Sequence, residues 1–374
     1  MKSALFAAAC FALAAAGSAP AATVFTGDRI DGAAVIEKLD VADLPAGQVS
    51  KFWFRVEDTA LGQGWYVPVI VVKGAKPGPK FLVTAGIHGD ELTGIAVIQQ
   101  LAQATDPKTL SGTLVMVPGL NTPGLLHSTR GLSVGALGQS GTANLNRLMP
   151  GDPAAVDVGE RYAGRLWSQI FTGNADFAVD FHTQSRGTVY PAYVFAQTHD
   201  ARLLADLLRP DIINMDPGID GALENMLDNA GVPAVTYELG GAEVFDTAMT
   251  ARALTGLRNI MKGKGMVAGT PDLSAPQPFV GNSLSNVDAP RGGWAHVAVK
   301  IGDDVKAGQT VATITDPFGA VTATLTAPHD GHVLSLASDP RADVGDMVVR
   351  LITWDDALPC KADGCPAGTP MPAN

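Results

Sequence analysis

The sequence predicts an α/β protein whose mainly parallel sheet carries helices on both faces, followed by a small β barrel-sandwich domain. In the first two thirds of the chain, short apolar segments of β-branched residues alternate with segments whose apolar residues recur at helical spacing. From about residue 275 the helical spacing disappears, and short strand-like segments with turn glycines follow one another. Alternating strands and helices indicate a parallel sheet covered on both sides.

Composition limits the class of protein. The chain has 374 residues, of which 46% are hydrophobic and 17% charged, so it can bury a large core and divides into two globular parts. The formal net charge is -11 and no Lys/Arg cluster is present, which argues against nucleic acid as a partner. The oligomeric state stays open.

The N-terminus has the pattern of a secretory signal peptide, which we assign to residues 1–22. Lys2 is followed by an apolar run over residues 4–16 and by small residues in an A-x-A arrangement, with cleavage expected after Ala21 or Ala22. The apolar run is shorter than the ~20 residues that span a bilayer. The mature protein is expected to be periplasmic or secreted, without a membrane span.

The predicted catalytic domain covers residues 23–272. It begins with a β-rich stretch that ends near residue 80. Strands and helices then alternate, with strands at FLVTAG, TLVMVPG, DFAVDFHT and AVTYELG and helices at ELTGIAVIQQLAQA, ERYAGRLWSQIF, GALENMLDNAG and from about Glu243 to Met261. In such sheets the ligand site forms at the carboxyl ends of the strands.

Two segments at strand ends suggest a metal site. GIHGDELTG carries His88 and Glu91 in H-x-x-E spacing, and VDFHT ends another strand with His182. Asp180 shares the face of His182 and is placed to orient its ring. Two histidines and a carboxylate with an open fourth position are typical of catalytic zinc, one ion per chain. Local spacing leaves another interpretation open, in which one histidine caps a helix and the other is satisfied in the core.

Further polar residues follow the same strand ends. Glu238 in TYELGG is expected to act as a general base and acid, the alternative being a hydrogen bond to a neighbouring loop. Asn146 and Arg147 in NLNRLMPG suit a substrate carboxylate, and Arg130 in HSTRG is placed to polarise a carbonyl. Either arginine could instead be an ordinary surface ion-pair partner.

Taken in order, GIHGDELTG, NLNRLMPG, DFHT and TYELGG resemble the succinylglutamate desuccinylase and aspartoacylase family of zinc carboxypeptidase-like hydrolases. The resemblance covers roughly residues 50 to 355. It implies zinc on the two histidines and Glu91, substrate binding at Asn146 and Arg147, Glu238 as the base, and Arg130 as the carbonyl-polarising arginine. The chain departs from the family at Asn144, where Asp is usual, in the long Gly-rich gap after Arg130, and in its export signal.

The C-terminal part is predicted as a separate β-rich domain at residues 273–356, with a Pro/Gly-rich tail at 357–374. The domain resembles the lipoyl or biotinyl barrel-sandwich fold, yet no modifiable lysine is evident, because Lys300 and Lys306 occupy strand and turn positions. His329 and His332 are interpreted as a polar turn. In the tail, Cys360 and Cys365 are expected to form a small disulfide loop of little weight for stability.

The residues together predict an exported hydrolase that cleaves the amide bond of an N-acyl amino acid. Glu238 would take a proton from water activated by zinc and pass it to the leaving nitrogen, while Arg130 and zinc share the charge on oxygen. A carboxypeptidase acting on peptides or cell-wall fragments would use the same residues. A non-catalytic periplasmic binding protein is the third interpretation, against which the intact Glu238 argues.

Overall fold

The computed structural model of the protein describes residues 22–59, 61–133 and 143–371. The predicted signal peptide lies outside the described residues apart from its last position, as does most of the Gly-rich stretch after Arg130. Among the described residues, no helix is both long enough and apolar enough to cross a membrane.

The described part of the chain contains six α-helices and twenty strands. The helices are Thr93–Ala104 (α1), Thr122–His127 (α2), Val158–Leu166 (α3), His199–Leu208 (α4), Leu223–Asn229 (α5) and Thr247–Gly263 (α6). The strands are Val24–Ile30 (β1), Ala33–Lys38 (β2), Gln48–Asp58 (β3), Gly64–Lys73 (β4), Lys76–Ala85 (β5), Ser111–Val117 (β6), Phe177–His182 (β7), Thr188–Val189 (β8), Ala192–Ala196 (β9), Ile212–Met215 (β10), Ala234–Leu239 (β11), Phe279–Gly281 (β12), Ser283–Asp288 (β13), Gly293–Val297 (β14), Asp304–Val305 (β15), Thr310–Thr315 (β16), Val321–Thr326 (β17), Gly331–Ala337 (β18), Arg341–Ala342 (β19) and Met347–Thr353 (β20).

Helix starts follow capping side chains. The side chain of Asp246 accepts hydrogen bonds from the backbone N–H groups of Ala248 and Met249, so α6 begins at Thr247. The predicted start near Glu243 is four residues too early. Glu243 has a φ of 61°, a left-handed conformation that a right-handed helix does not contain.

One large mixed sheet forms the centre of the molecule. Its eleven strands lie in the order β1-β2-β3-β4-β6-β5-β7-β11-β9-β10-β12. Six neighbouring pairs are parallel and four are antiparallel, so the predicted mainly parallel sheet is found only in part. One reason is local: a connection over residues 59–63 joins β3 to β4, and so short a link allows only an antiparallel pair.

Helices cover both faces of this sheet. On one face, α1, α4 and α6 pack on strand residues such as Phe81 and Val83 of β5. On the other face, α3 and α5 pack on the intervening residue Leu82 and on its neighbours Ala178 and Ala234. Because strand side chains alternate between faces, the polar residues that replace these apolar positions further along β5, β7 and β11 lie on the α3 and α5 face.

The C-terminal strands form a second, smaller unit with its own apolar core. Its two sheets have the orders β13-β20-β18-β15 and β17-β16-β14-β19, around residues such as Val311, Val333 and Leu351. β12 belongs to the large sheet, since it pairs with β10. β8 of the catalytic part pairs with β18, which joins the two units. The likeness to lipoyl domains stays a prediction.

The tail after β20 returns to the catalytic part of the molecule. A disulfide bond joins Cys360 to Cys365. Cys360 is buried in the core on the α1, α4 and α6 face of the large sheet. The N–H of Cys365 donates to the carbonyl of Gln197 at 2.8 Å. Its sulfur also contacts the carbonyl oxygen of Asp216 at 3.1 Å, although a disulfide sulfur has no hydrogen to donate. The bridge closes the expected small loop within the tail, and contacts of its two cysteines place that loop against the catalytic part.

Candidate active site

The register of three neighbouring strands brings the polar residues together. β5, β7 and β11 are parallel neighbours, with Thr84 paired to Asp180 and Asp180 paired to Thr236. Two residues further on, His182 is paired to Glu238. All five side chains lie on the α3 and α5 face at the carboxyl ends of the strands. Residues from three separate segments thus form one polar row.

His88, Glu91 and His182 form a compact buried group beside this row. The Nδ1 atom of His88 lies 2.9 Å from Glu91 Oε1, and the Nδ1 atom of His182 lies 3.0 Å from Glu91 Oε2. The potential ligand atoms of the three residues lie within 4.8 Å of one another. A single ion can therefore reach all three.

The orientation of the two rings fits a metal better than a hydrogen-bonded cluster. His88 Nδ1 is buried and has no hydrogen-bond partner among the described residues, despite its short distance to Glu91. The other ring nitrogens are occupied: His88 Nε2 contacts Asn144 Oδ1 at 3.1 Å, and His182 Nε2 contacts Asp180 Oδ2 at 2.9 Å. Metal-binding histidines have such outer partners, which fix the ring and its tautomer.

The support behind the two histidines differs in charge. Asp180 is a carboxylate and accepts a second hydrogen bond from Thr84 Oγ1 at 2.6 Å. Asn144 supplies a neutral amide oxygen to His88 and also accepts from the N–H of Asn146 at 3.0 Å. The departure from the family at position 144 therefore lies directly behind a candidate ligand.

The three candidate ligands differ in how readily they give up a proton, as metal binding requires. Burial opposes ionisation of Glu91, but the neighbouring His88 and His182 hold the pKa of this carboxyl well below its usual value. Burial lowers the pKa of His88, leaving a neutral ring that can act as a ligand. For His182 burial acts in the same direction, but Asp180 and Glu91 outweigh it and raise the pKa well above its usual value.

Glu238 lies beside the group without belonging to it. Its side chain is 8% exposed, and Oε2 has no hydrogen-bond partner among the described residues. Burial raises the pKa of Glu238 to about 8; His182 opposes this rise and Glu91 adds to it. A carboxyl with a pKa near neutrality can accept a proton and return it.

Arg130 contacts the group formed by His88, Glu91 and His182 through its guanidinium. One guanidinium nitrogen donates to Glu91 Oε1 at 2.8 Å and also contacts Ser185 Oγ. Ser185 Oγ donates to the same Glu91 oxygen at 2.9 Å, and the N–H of Thr183 donates to Oε2 at 3.1 Å. Ser185 and Thr183 were not predicted, although Thr183 directly follows His182 in the sequence and Ser185 comes two residues later.

Asn146 and Arg147 form a short 3-10 turn, Leu145–Arg147, at the rim. Asn146 Oδ1 accepts from the N–H of Leu223 at 2.8 Å, so the oxygen end of this amide supports the fold and the NH₂ end is left for a ligand. Arg147 Nη1 donates to the Asn146 carbonyl at 2.6 Å, which orients the guanidinium. Burial lowers the pKa of Arg147.

All seven predicted site residues line one pocket of about 440 Å³. The pocket also contains residues that the sequence did not single out, among them Tyr190, Asp216, Glu224, Leu284 and Arg350. Asp216 directly follows β10, so the expectation that ligand-binding residues lie at the carboxyl ends of strands could have identified it. Leu284 and Arg350 come from the C-terminal unit.

Arg350 closes the pocket on the side of the C-terminal unit. Its Nε donates to Asn286 Oδ1 at 2.8 Å and its Nη1 donates to the hydroxyl of Tyr190 at 2.9 Å. Tyr190 packs with Tyr193, Leu334 and other residues in a small cluster between the two units. The second unit therefore builds part of the site.

The chain is similar to known proteins over much of its length. Residues 77–263, half of the chain, match the model of the succinylglutamate desuccinylase/aspartoacylase catalytic domain. N-alpha-acetyl-L-2,4-diaminobutyric acid deacetylase from Halomonas elongata is 27% identical over 310 residues, which cover 78% of this chain and 87% of that protein.

Two solved structures have a similar fold. A succinylglutamate desuccinylase/aspartoacylase from Rhodobacter sphaeroides superimposes with a TM-score of 0.72 at 24% identity, over 84% of this chain and 98% of that one. The product-bound ectoine utilization protein EutE (DoeB) from Ruegeria pomeroyi gives a TM-score of 0.73 at 22% identity, over 83% and 98%.

Proposed function

Because the chain belongs to the succinylglutamate desuccinylase/aspartoacylase family, we propose that it is a zinc-dependent deacylase that hydrolyses the amide bond of an N-acyl amino acid. The observation that carries this proposal is the convergence of two buried histidine Nδ1 atoms and Glu91 on one point, with the unpartnered carboxylate of Glu238 beside them. His88, Glu91 and His182 would hold the ion. When bound, zinc would acidify a water molecule and polarise the scissile carbonyl.

Protein side chains carry out proton transfer, charge stabilisation and substrate binding. Glu238 accepts the proton of the attacking water and passes it to the leaving nitrogen, for which burial gives it a suitable pKa of about 8. Arg130, hydrogen-bonded to Glu91, stabilises the negative charge that develops on the carbonyl oxygen. Arg147 and the free amide end of Asn146 bind the substrate carboxylate.

The pocket favours a small substrate over a peptide chain. A volume of about 440 Å³ is in the range for small-molecule sites. Leu284 and Arg350 of the C-terminal unit line the same pocket and restrict the space in it. The Halomonas elongata relative, named as a deacetylase of an N-acetylated amino acid, supports the same choice. We therefore prefer the deacylase to the carboxypeptidase, and the intact Glu238 argues against a non-catalytic binding protein.

We also propose that the protein acts outside the cytoplasm. The support is the N-terminal sequence pattern, together with the disulfide bond between Cys360 and Cys365, since disulfide bonds form and persist mainly in oxidising compartments.

The proposal is tested by assaying the purified protein against N-acyl amino acids and C-terminal dipeptides, before and after chelation and zinc return. Release of free amino acid from the N-acyl compounds, lost on chelation and restored by zinc, is expected. The Glu238→Gln variant serves as the control for contaminating hydrolases. Faster cleavage of the dipeptides, or N-acyl hydrolysis that Glu238→Gln leaves unchanged, would contradict the proposal.

A further inference from the structure

Two acidic residues line the pocket and have no part in the mechanism above. Asp216 follows β10, and Glu224 lies in the first turn of α5. Both side chains border the same cavity as Glu238 and Arg147. They place carboxyl groups in a site whose charged substrate contacts, Arg130 and Arg147, are positive.

Asp216 is held by neutral donors only. Its Oδ1 accepts from the N–H of Gly218 at 2.8 Å, and its Oδ2 accepts from Asn214 Nδ2. In residues 22–59, 61–133 and 143–371, no Lys, Arg or His side chain lies within ion-pair distance of it. This partly exposed carboxylate thus faces the cavity without a counter-ion.

Glu224 is the second and more deeply buried carboxylate. Its side chain is 8% exposed, and Oε2 has no hydrogen-bond partner within the described part of the chain. Arg147 is close enough to influence it electrostatically, but no direct ion pair joins the two among the described residues. A buried carboxylate oxygen without a hydrogen bond is costly, and the nearby hydroxyl of Thr236 also lacks a partner among the described residues, so both groups are available to a polar ligand.

The loop that carries Asp216 packs closely against α5. Gly218 has a φ of +80°, and a Cβ there would lie 2.0 Å from Asn225 Nδ2, so only glycine lets the loop pack against α5. The N–H of Ile219 donates to Asn225 Oδ1 at 2.9 Å. The side chain of Asn225 therefore links the Asp216 loop to α5, the helix that carries Glu224. This link holds the two carboxylates in fixed relative positions.

We infer that Asp216 and Glu224 bind a positively charged side chain of the substrate, so that the preferred substrates are N-acylated diamino acids. This inference rests on the proposed deacylase function. An ammonium group has three donors and no acceptor, which suits two carboxylates with unused lone pairs. The carboxylate of the same substrate lies at Arg147. A pocket that carries both signs of charge thereby recognises an amino acid that also carries both.

The test measures binding by calorimetry in a Glu238→Gln background, where turnover is suppressed. The two probes are Nα-acetyl-L-ornithine and Nα-acetyl-L-norleucine, which differ in a terminal ammonium against a methyl group. We expect acetylornithine to bind at least about tenfold more tightly, as a charge-assisted hydrogen bond implies. Asp216→Asn and Glu224→Gln should each reduce this preference by about tenfold, because any effect on the carboxylate at Arg147 is common to both probes and cancels in the ratio of their affinities.

The variants keep the shape of the site. An Asn at position 216 can still accept from Gly218, and the amide of Asn214 can turn, because its buried Oδ1 has no partner among the described residues. Asp228→Asn is the matched control, since Asp228 is a partly buried carboxylate bonded to Thr198 outside the pocket. Thermal melting of each variant shows whether folding is retained.

The outcomes separate the inference from the function on which it rests. Equal affinity for the two probes, no binding of either, or an unchanged preference in both pocket variants overturns the cation site. If the parent protein nevertheless hydrolyses acetylnorleucine with zinc, the deacylase proposal survives. If instead the parent protein hydrolyses no N-acyl amino acid while acetylornithine binds in a manner that depends on Asp216, the proposed function fails and the cation site stands.

Discussion

Glu91 and Glu238 are buried carboxylates in one pocket, but their substitution should have different consequences. Glu91 lies between both histidine Nδ1 atoms and accepts hydrogen bonds from Arg130, Ser185 and the backbone of Thr183. Glu91→Ala removes all of these contacts at once. Glu238→Gln removes only the ionisable carboxyl group. Because Oε2 of Glu238 has no hydrogen-bond partner among the described residues, no hydrogen bond to that oxygen is lost.

The expected magnitudes follow from these contacts. Loss of an outer partner of a ligand costs about 10- to 100-fold in metal affinity, so loss of the ligand Glu91 should cost more than about 100-fold. Leaving buried charges unpaired should also destabilise Glu91→Ala by about 3 to 5 kcal/mol. Glu238→Gln should retain nearly one zinc per chain while turnover falls by about 10²-fold or more.

The pKa of Glu238 adds a stability prediction for the metal-free protein. Burial raises this pKa from 4.5 to about 8, so between these values the unfolded state releases a proton that the folded state retains, and the folded state loses stability as the pH rises through that interval. At about 1.4 kcal/mol for each pKa unit, Glu238→Gln should be more stable than the parent protein by about 3 kcal/mol at pH 7. Below pH 4.5 the gain should vanish, because the carboxyl is then protonated in both states.

Three measurements decide the matter. Metal analysis of both purified variants gives zinc content, single-turnover kinetics gives the chemical rate, and urea unfolding of chelated protein at pH 4 and pH 7 gives stability. Zinc loss in Glu238→Gln with retention in Glu91→Ala would reverse the two roles. Full activity of Glu238→Gln would show that the hydrolytic mechanism is wrong. Equal stability of Glu238→Gln and the parent protein at pH 7 would refute the raised pKa of Glu238.

Four further predictions concern the rest of the molecule. Arg147→Ala should reduce kcat/KM by about tenfold to over a hundredfold, because a charged hydrogen bond to the substrate is lost. With a substrate that lacks the carboxylate, most of the difference between variant and parent should disappear. An undiminished difference would exclude Arg147 as the residue that binds the carboxylate. N-terminal sequencing of exported protein should find Ala22 or Thr23 first, whereas Met1 on a cytoplasmic protein would contradict export. Burial raises the pKa of Asp216 to about 7, so the preference for acetylornithine over acetylnorleucine should increase as the pH rises from 5.5 to 8; a flat ratio, or the same rise in Asp216→Asn, would count against it. Reduction of the disulfide should raise KM more than it lowers kcat, because Cys365 contacts the Asp216 loop, and unaltered kinetics after verified reduction would disprove this link.

The sequence by itself determined the features that depend on neighbours along the chain. His88 and Glu91 are three residues apart in a sharp Gly-containing turn, and they meet at 2.9 Å. Asp180 and His182 are two residues apart on a strand, where alternation puts both on one face, and they meet at 2.9 Å. Alternating strand and helix segments likewise predicted the helices on both faces.

Only the tertiary structure decided which distant segments meet. The pairing of Glu238 with His182 depends on the strand order β7-β11, which periodicity does not specify. Mixed pairing in the sheet likewise depends on which connections are short. Arg350 lies within a strand of the second unit, and it reaches the pocket because β8 and the Tyr190 cluster dock that unit there. Local propensity acts over a few residues, whereas these contacts join residues far apart in the chain, so their selection depends on the packing of the whole core.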